Sequence, residues 1–164
     1  MKMNKCLENI KFGSVSIIMD IDDNEYEVRR AKKALLKLSC KVSNCMSVFS
    51  VRFDENLFKQ FVASCSHIKE IRFTNCSFDF YGDIHFKDSL WYFQTKRLVF
   101  VDCDVGSSEG LESTFCVFEA IMKGLSEEPN VAKSLQEISV SKDAISQAAI
   151  KSIFGSCNFG HIHI

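Results

Sequence analysis

His161 and His163 stand two residues apart, a spacing that puts both imidazoles on one face of an extended strand. With Glu137 or Cys157 beside them they would supply part of a tetrahedral metal site. The simpler reading is a pair of exposed side chains on a terminal edge strand. Asp20, Asp22 and Asp23 around Ile21 form an acidic cluster, but the glycine and closing glutamate of a calcium loop do not follow. These acids suit the start of the next helix. Gly106-Ser107-Ser108-Glu109-Gly110 lacks the Lys-Ser/Thr ending that lets a glycine loop hold phosphates, so its glycines are expected to serve a turn. Nucleophilic catalysis needs a nucleophile, a base and an orienting group brought together, and no motif in the chain does this. The expectation is a protein that is not an enzyme, with no cofactor and no bound metal.

The eight cysteines include no Cys-x-x-Cys pair and come without a secretory signal, so they read as small buried hydrophobes in a reducing compartment. Twenty basic residues against 21 acidic ones leave a net charge of -1, which gives no field to attract nucleic acid or an anionic membrane. Nucleic acid is therefore not the expected partner. The apolar runs fall far short of the roughly 20 residues that cross a bilayer, so no membrane insertion is expected. Residues 1–12 lack the features of a signal or transit peptide, and a cytoplasmic setting is expected, with organellar import left open.

The elements that would position these side chains follow one recurring template: apolar-x-x-apolar-x-apolar-x-x-Cys-x-apolar. Ile68, Ile71, Phe73, Cys76 and Phe78 fit it, and Thr95, Leu98, Phe100, Cys103 and Val105 repeat it with a polar first position. Val48, Val51, Phe53, Asn56 and Phe58 fit upstream, and Leu135, Ile138, Val140, Asp143 and Ile145 downstream. With Phe159 opening a last partial copy, the first positions are 20, 27, 40 and 24 residues apart. Periods of this size mark stacked strand-turn-helix units.

Helical stripes occupy the intervals. Asp54 suits an N-cap for a helix to Cys65, and Ser146 suits one for a helix with Ala149, Ile150, Ile153 and Phe154 inward. The 40-residue interval carries Leu111, Phe115, Phe118, Met122 and Leu125 on one stripe, with Pro129 at its exit and an exposed loop over 126–132. Upstream, a strand over 14–20 with Val15 and Ile17 inward precedes an amphipathic helix over about 23–38. The aromatic stretch around Trp91, Tyr92 and Phe93 suits either core packing or an anchor for another subunit.

The motifs Ile68-Lys69-Glu70-Ile71-Arg72-Phe73-Thr74-Asn75-Cys76 and Leu98-Val99-Phe100-Val101-Asp102-Cys103 resemble the cysteine-containing leucine-rich repeats of the ribonuclease-inhibitor-like group, over about residues 48–164. The resemblance implies an α/β fold: a short right-handed solenoid, a horseshoe arc whose parallel sheet of about six strands is backed by convex-side helices. It implies a surface that holds another protein and no catalytic residues. The whole chain reads as one domain over 1–164, with an irregular strand-helix unit over 1–45 and repeats over 46–164.

In this arrangement alternation sends every second side chain to the concave face. Ser50, Glu70, Arg97, Glu137 and His161 make one row. Arg52, Arg72, Val99, Ser139 and His163 make the next, and Asp54, Thr74, Val101 and Ser141 a third. Glu70, Arg97 and Glu137 alternate in sign and favour a ladder of ion pairs. Arg52, Glu70, Arg72, Arg97, Val99, Glu137, Ser139, His161 and His163 are the expected partner-binding residues of a non-catalytic protein-protein interaction module. The alternative is a structural accessory subunit of a larger assembly, its apolar ends covered by neighbours.

Overall fold

Apolar residues two positions apart form the inner faces of the strands, as Ile71 and Phe73, Leu98 and Phe100, and Ile138 and Val140 do. A computed structural model describes residues 11–19, 25–79, 82–86, 90, 92–104, 116–141, 145–157 and 159. Strands β1 (Phe12–Ile18), β2 (Val42–Phe49), β4 (Glu70–Thr74), β6 (Arg97–Val101) and β7 (Glu137–Val140) form one five-stranded sheet in the order β1-β2-β4-β6-β7. Every neighbouring pair is parallel. Chain order and sheet order therefore run together. The strand expected beyond Gly160 lies outside the described residues, so the sheet described here has five strands and not six.

Strands β3 (Arg52–Asp54) and β5 (Ser77–Asp79) form a second, two-stranded parallel sheet, and Ser77 also bridges to Asp104. A sharp corner separates each long strand from its short continuation. Ser50, Asn75 and Asp102 make that corner with φ of 55°, 51° and 51°, the left-handed region that asparagine and aspartate tolerate best among residues with a side chain. The corners are tied to one another: Ser50 N donates to Thr74 O at 3.0 Å, Asn75 N to Val101 O at 2.9 Å, and Asn75 Nδ2 to Ser50 Oγ at 3.2 Å.

This register corrects the first copy of the template. Met46 pairs with Ile71 and Val48 with Phe73, whereas Phe53 pairs with Phe78 in the small sheet. The expected alignment of Val51 and Phe53 with Ile71 and Phe73 is thus five residues out of step. Arg52 consequently lies on β3, not in the large sheet, and its Nε pairs with Asp79 Oδ2. Asp54 is the cap of a helix and not a member of the third row, and Ser50 is a corner.

The helices are α1 (Glu25–Ser39), α2 (Glu55–Ser64), α3 (Val117–Ser126), α4 (Pro129–Ser134) and α5 (Gln147–Gly155). Pro129 opens α4 instead of closing a helix, as its fixed φ and missing N–H allow at a first turn. In place of the loop expected over 126–132 the chain ends α3 and opens α4, with Ser126 and Val131 buried while Glu127, Pro129 and Asn130 are exposed as expected. Leu111 and Phe115 lie outside the described residues, as does Trp91.

Phenylalanines fill the space between sheet and helices. Phe53, Phe58, Phe61, Phe73 and Phe100 are all essentially inaccessible. Phe73 stacks on Phe100 with centroids 5.0 Å apart, and meets Phe53 at 5.6 Å and Phe61 at 5.9 Å edge-on. Phe118 extends the cluster from α3, 5.8 Å from Phe100. These contacts place α2 and α3 on the face that carries Ile71, Phe73 and Phe100.

Asp54 joins three elements at once. Its Oδ1 accepts from Leu57 N at 2.8 Å, the N-cap bond of α2, and its Oδ2 accepts from Lys32 Nζ of α1 at 2.7 Å. Partial burial alone would raise its pKa, but the Lys32 ammonium and the Leu57 N–H outweigh this and hold the carboxyl below its usual value. Asp54→Ala is expected to cost about 1–2 kcal/mol by urea unfolding at neutral pH. Because the folded-state pKa is the lower one, the carboxylate's contribution is present above the unfolded-state pKa and disappears as pH falls through the folded-state pKa. The gap between wild type and variant should therefore narrow in acid.

Candidate interaction face

The face of the sheet opposite the helices carries the charges. The register places Cys45, Glu70, Arg97 and Glu137 side by side in one row, and Ser47, Arg72, Val99 and Ser139 in the next. Ser47 therefore takes the place expected for Arg52. Ile18, Phe49, Thr74 and Val101 make the third row, nearer the corners. Parallel pairing forces this arrangement: once Ile71 and Phe73 turn into the phenylalanine core, Glu70, Arg72 and Thr74 must turn outward.

Four side chains of the first two rows form a connected ionic group. Arg72 donates to Glu70 Oε1 from Nη2 at 3.0 Å and from Nε at 3.3 Å. Arg97 Nη1 donates to Glu70 Oε2 at 3.4 Å across the strand pair. On its other side Arg97 Nε lies 2.9 Å from Glu137 Oε1. That contact is an ion-pair distance without hydrogen-bond alignment, so the buried Nε donor has no hydrogen bond. Cys45 Sγ adds a weak donor to Glu70 Oε1 at 3.7 Å. The side chains retain 21% to 42% of their exposure, so each pair contributes less than about 1 kcal/mol to stability. Their charges cancel, and the group presents alternating sign instead of net charge.

Val99 and Ser47, on either side of Arg72, are only 5% and 8% exposed, although Val99 is not part of the phenylalanine core. Ser139 is half-buried. The structure thus brings Glu70, Arg72, Arg97, Val99, Glu137 and Ser139 onto one surface. His161 and His163 lie outside the described residues.

A second surface feature borders this face at the strand starts. A cavity of about 690 Å³ is lined by His67, Lys69, Gln94, Lys96 and Ser134 among others, and among the described residues no carboxylate lines it. Within it His67 Nε2 donates to Val42 O at 2.8 Å.

The thiols offer little chemistry. Burial pushes the Cys65 thiol up to about 12, which leaves it inert near neutral pH. Cys76 and Cys103 occupy equivalent places after successive corners, and both are buried. A shared hydrogen bond pulls the Cys76 thiol below its ordinary value and pushes Cys103 above it. All cysteines among the described residues are free. Among those residues no three or more His, Cys, Asp or Glu side chains gather as a metal site, and no helix is long and apolar enough to cross a membrane.

Sequence reasoning misses Cys45, Ser47 and Phe49, because the template sets its first strand five residues too late. The signal that finds them is Met46 and Val48 followed by Val51 and Phe53, which repeats the 71, 73, 76, 78 spacing. No protein-family model, curated protein or solved structure matches the chain.

Proposed function

We propose that this protein is a non-catalytic interaction module that holds another protein against the open face of its parallel sheet. The reading rests on one observation: Glu70, Arg72, Arg97 and Glu137 form a connected ionic group on a sheet face that no described helix covers. Such an array adds little to stability but selects partners of complementary pattern, because a mismatched charge must be desolvated without compensation. Ser139 supplies hydroxyl ground between the charges, and Val99, nearly buried, backs them from within the sheet.

The finer architecture belongs to this proposal. Corners at Ser50, Asn75 and Asp102, on units offset by 25 and 27 residues, support a right-handed solenoid of the leucine-rich-repeat type, with a further strand over 160–164. A protein partner in the cytoplasm fits the small net charge of -1 better than nucleic acid does.

Arg72→Glu with Arg97→Glu tests the surface. The double variant turns the group into four adjacent acids and is expected to weaken partner capture about tenfold or more, while circular dichroism stays unchanged. Capture from cell extract, quantified by mass spectrometry against wild type, reads the effect. Equal capture by both proteins refutes the role of this face.

A second reading, a subunit fixed in a larger assembly, is favoured by one feature. Val15 and Ile17 of β1 are only partly buried, whereas their register mates Met46 and Val48 are fully buried.

A further inference from the structure

The starts of β4 and β6 bring two lysines together with no acid between them. Lys69 and Lys96 each precede a strand by one residue, and Lys96 N donates to Lys69 O at 2.8 Å, so their backbones are hydrogen-bonded neighbours. Both side chains are exposed and both line the cavity of about 690 Å³. One residue further along, Glu70 and Arg97 occupy the same two strands, and there each charge has a counterpart: Glu70 meets Arg72 and Arg97, and Glu137 meets Arg97. The lysines have none. Among the described residues no carboxylate lines the cavity, and neither ammonium has an ion-pair partner. Like charges on neighbouring strands repel, so an anion seated between them would offset a cost that the free protein carries.

The rest of the wall is polar and partly committed. His67 Nε2 donates to Val42 O at 2.8 Å, Ser43 Oγ to Phe12 O at 3.1 Å and Ser134 Oγ to Phe93 O at 2.7 Å, which ties these three side chains to the backbone around the cavity. The side-chain amide of Gln94 has no such tie among the described residues and lines the cavity with the lysines as a further donor. The volume falls within the range of about 300–1,000 Å³ typical of small-molecule sites, more than a bare ion fills. Tyr92 and Phe93 add aromatic surface against which an organic part can rest. Two ammonium groups match a doubly charged head, and a phosphate monoester carries a charge of about −2 near neutral pH with three acceptor oxygens. A monocarboxylate would leave one lysine without a counterpart.

We infer that the cavity at the starts of β4 and β6 binds a small soluble phosphate monoester, held at its phosphate by Lys69, Lys96 and Gln94. This goes beyond the role of the open face and stands independently of it.

Calorimetric titration of the full chain with adenosine 5′-monophosphate and with glucose 6-phosphate tests the site. At least one ester is expected to bind with a Kd of about 1 mM or tighter, and its unphosphorylated parent at least about tenfold more weakly. Lys69→Gln with Lys96→Gln is expected to weaken the binding about tenfold or more. Without ligand the thermal midpoint of that variant should stay level or rise, because a repulsion has been removed. In wild type, the amide resonances of Lys69, Gln94 and Lys96 should shift as the ester is added, a readout that does not depend on any variant folding. Binding of neither ester, equal binding of the parent or of acetate, an affinity indifferent to the two substitutions, or binding only to vesicles carrying phosphatidic acid would each overturn the inference.

Discussion

Phe73→Ala is expected to remove about 3–5 kcal/mol of folding stability, read by urea unfolding against wild type. The ring is fully inaccessible and lies among Phe53, Phe58, Phe61, Phe78 and Phe100, at centroid distances of 5.0 to 5.9 Å. Truncation leaves a void that these rings cannot close, because they are fixed by three different elements: the large sheet, the small sheet and α2. Each edge-on or stacked contact adds to the transfer term. A domain of this size has only about 5–15 kcal/mol in all, so the variant should be largely unfolded on modest warming. Phe73→Leu, which keeps most of the volume, should cost far less. A loss below about 1 kcal/mol for the alanine variant would show that the cluster is not the keystone of the core.

Gly124→Ala should also destabilise, against the trend for a helix interior. Alanine ordinarily gains about 1 kcal/mol over glycine inside a helix. Here a Cβ would overlap the carbonyl oxygen of Ile84 and lie 3.2 Å from its carbonyl carbon. Backbone cannot rotate aside as a side chain can, so α3 must move off the 82–86 segment. The net loss is expected to be about 2 kcal/mol or more, visible as a fall in thermal midpoint. An unchanged or raised midpoint would mean that the segment carrying Ile84 yields freely.

Much of this fold is legible in the sequence, and the places where it is not have a physical cause. Ile71 and Phe73 alternate with Glu70, Arg72 and Thr74 and end at the turn-type Asn75, and Leu98 and Phe100 end likewise at Asp102, so strand and corner identify each other. The caps at Asp54 and Ser146 are equally clear, because a side-chain oxygen there meets an N–H that the helix cannot satisfy. The first repeat slipped because the template contains its own echo. The pair Cys76 and Phe78 after the corner has the same two-residue spacing as Ile71 and Phe73 before it. A shift of five residues therefore preserves the apolar pattern. Only the corner residue breaks the tie, and at that place this chain has Ser50, whose side chain does not advertise a left-handed backbone. Arg52 was misplaced by the same slip. The pairing of Arg72 with Glu70 inside one strand was not legible either, since side chains two apart share a face but only rotamer choice decides whether they touch.

Because the order of the described strands in the sheet follows chain order, none of them is inserted between two that are already paired. A chain leaving the ribosome can lay each new strand against the previous one without waiting for distant sequence, and every intermediate exposes one growing edge. Mechanical tension applied through the two termini would act in the reverse sense, stripping the structure from its ends one strand at a time with small force steps in place of a single cooperative rupture.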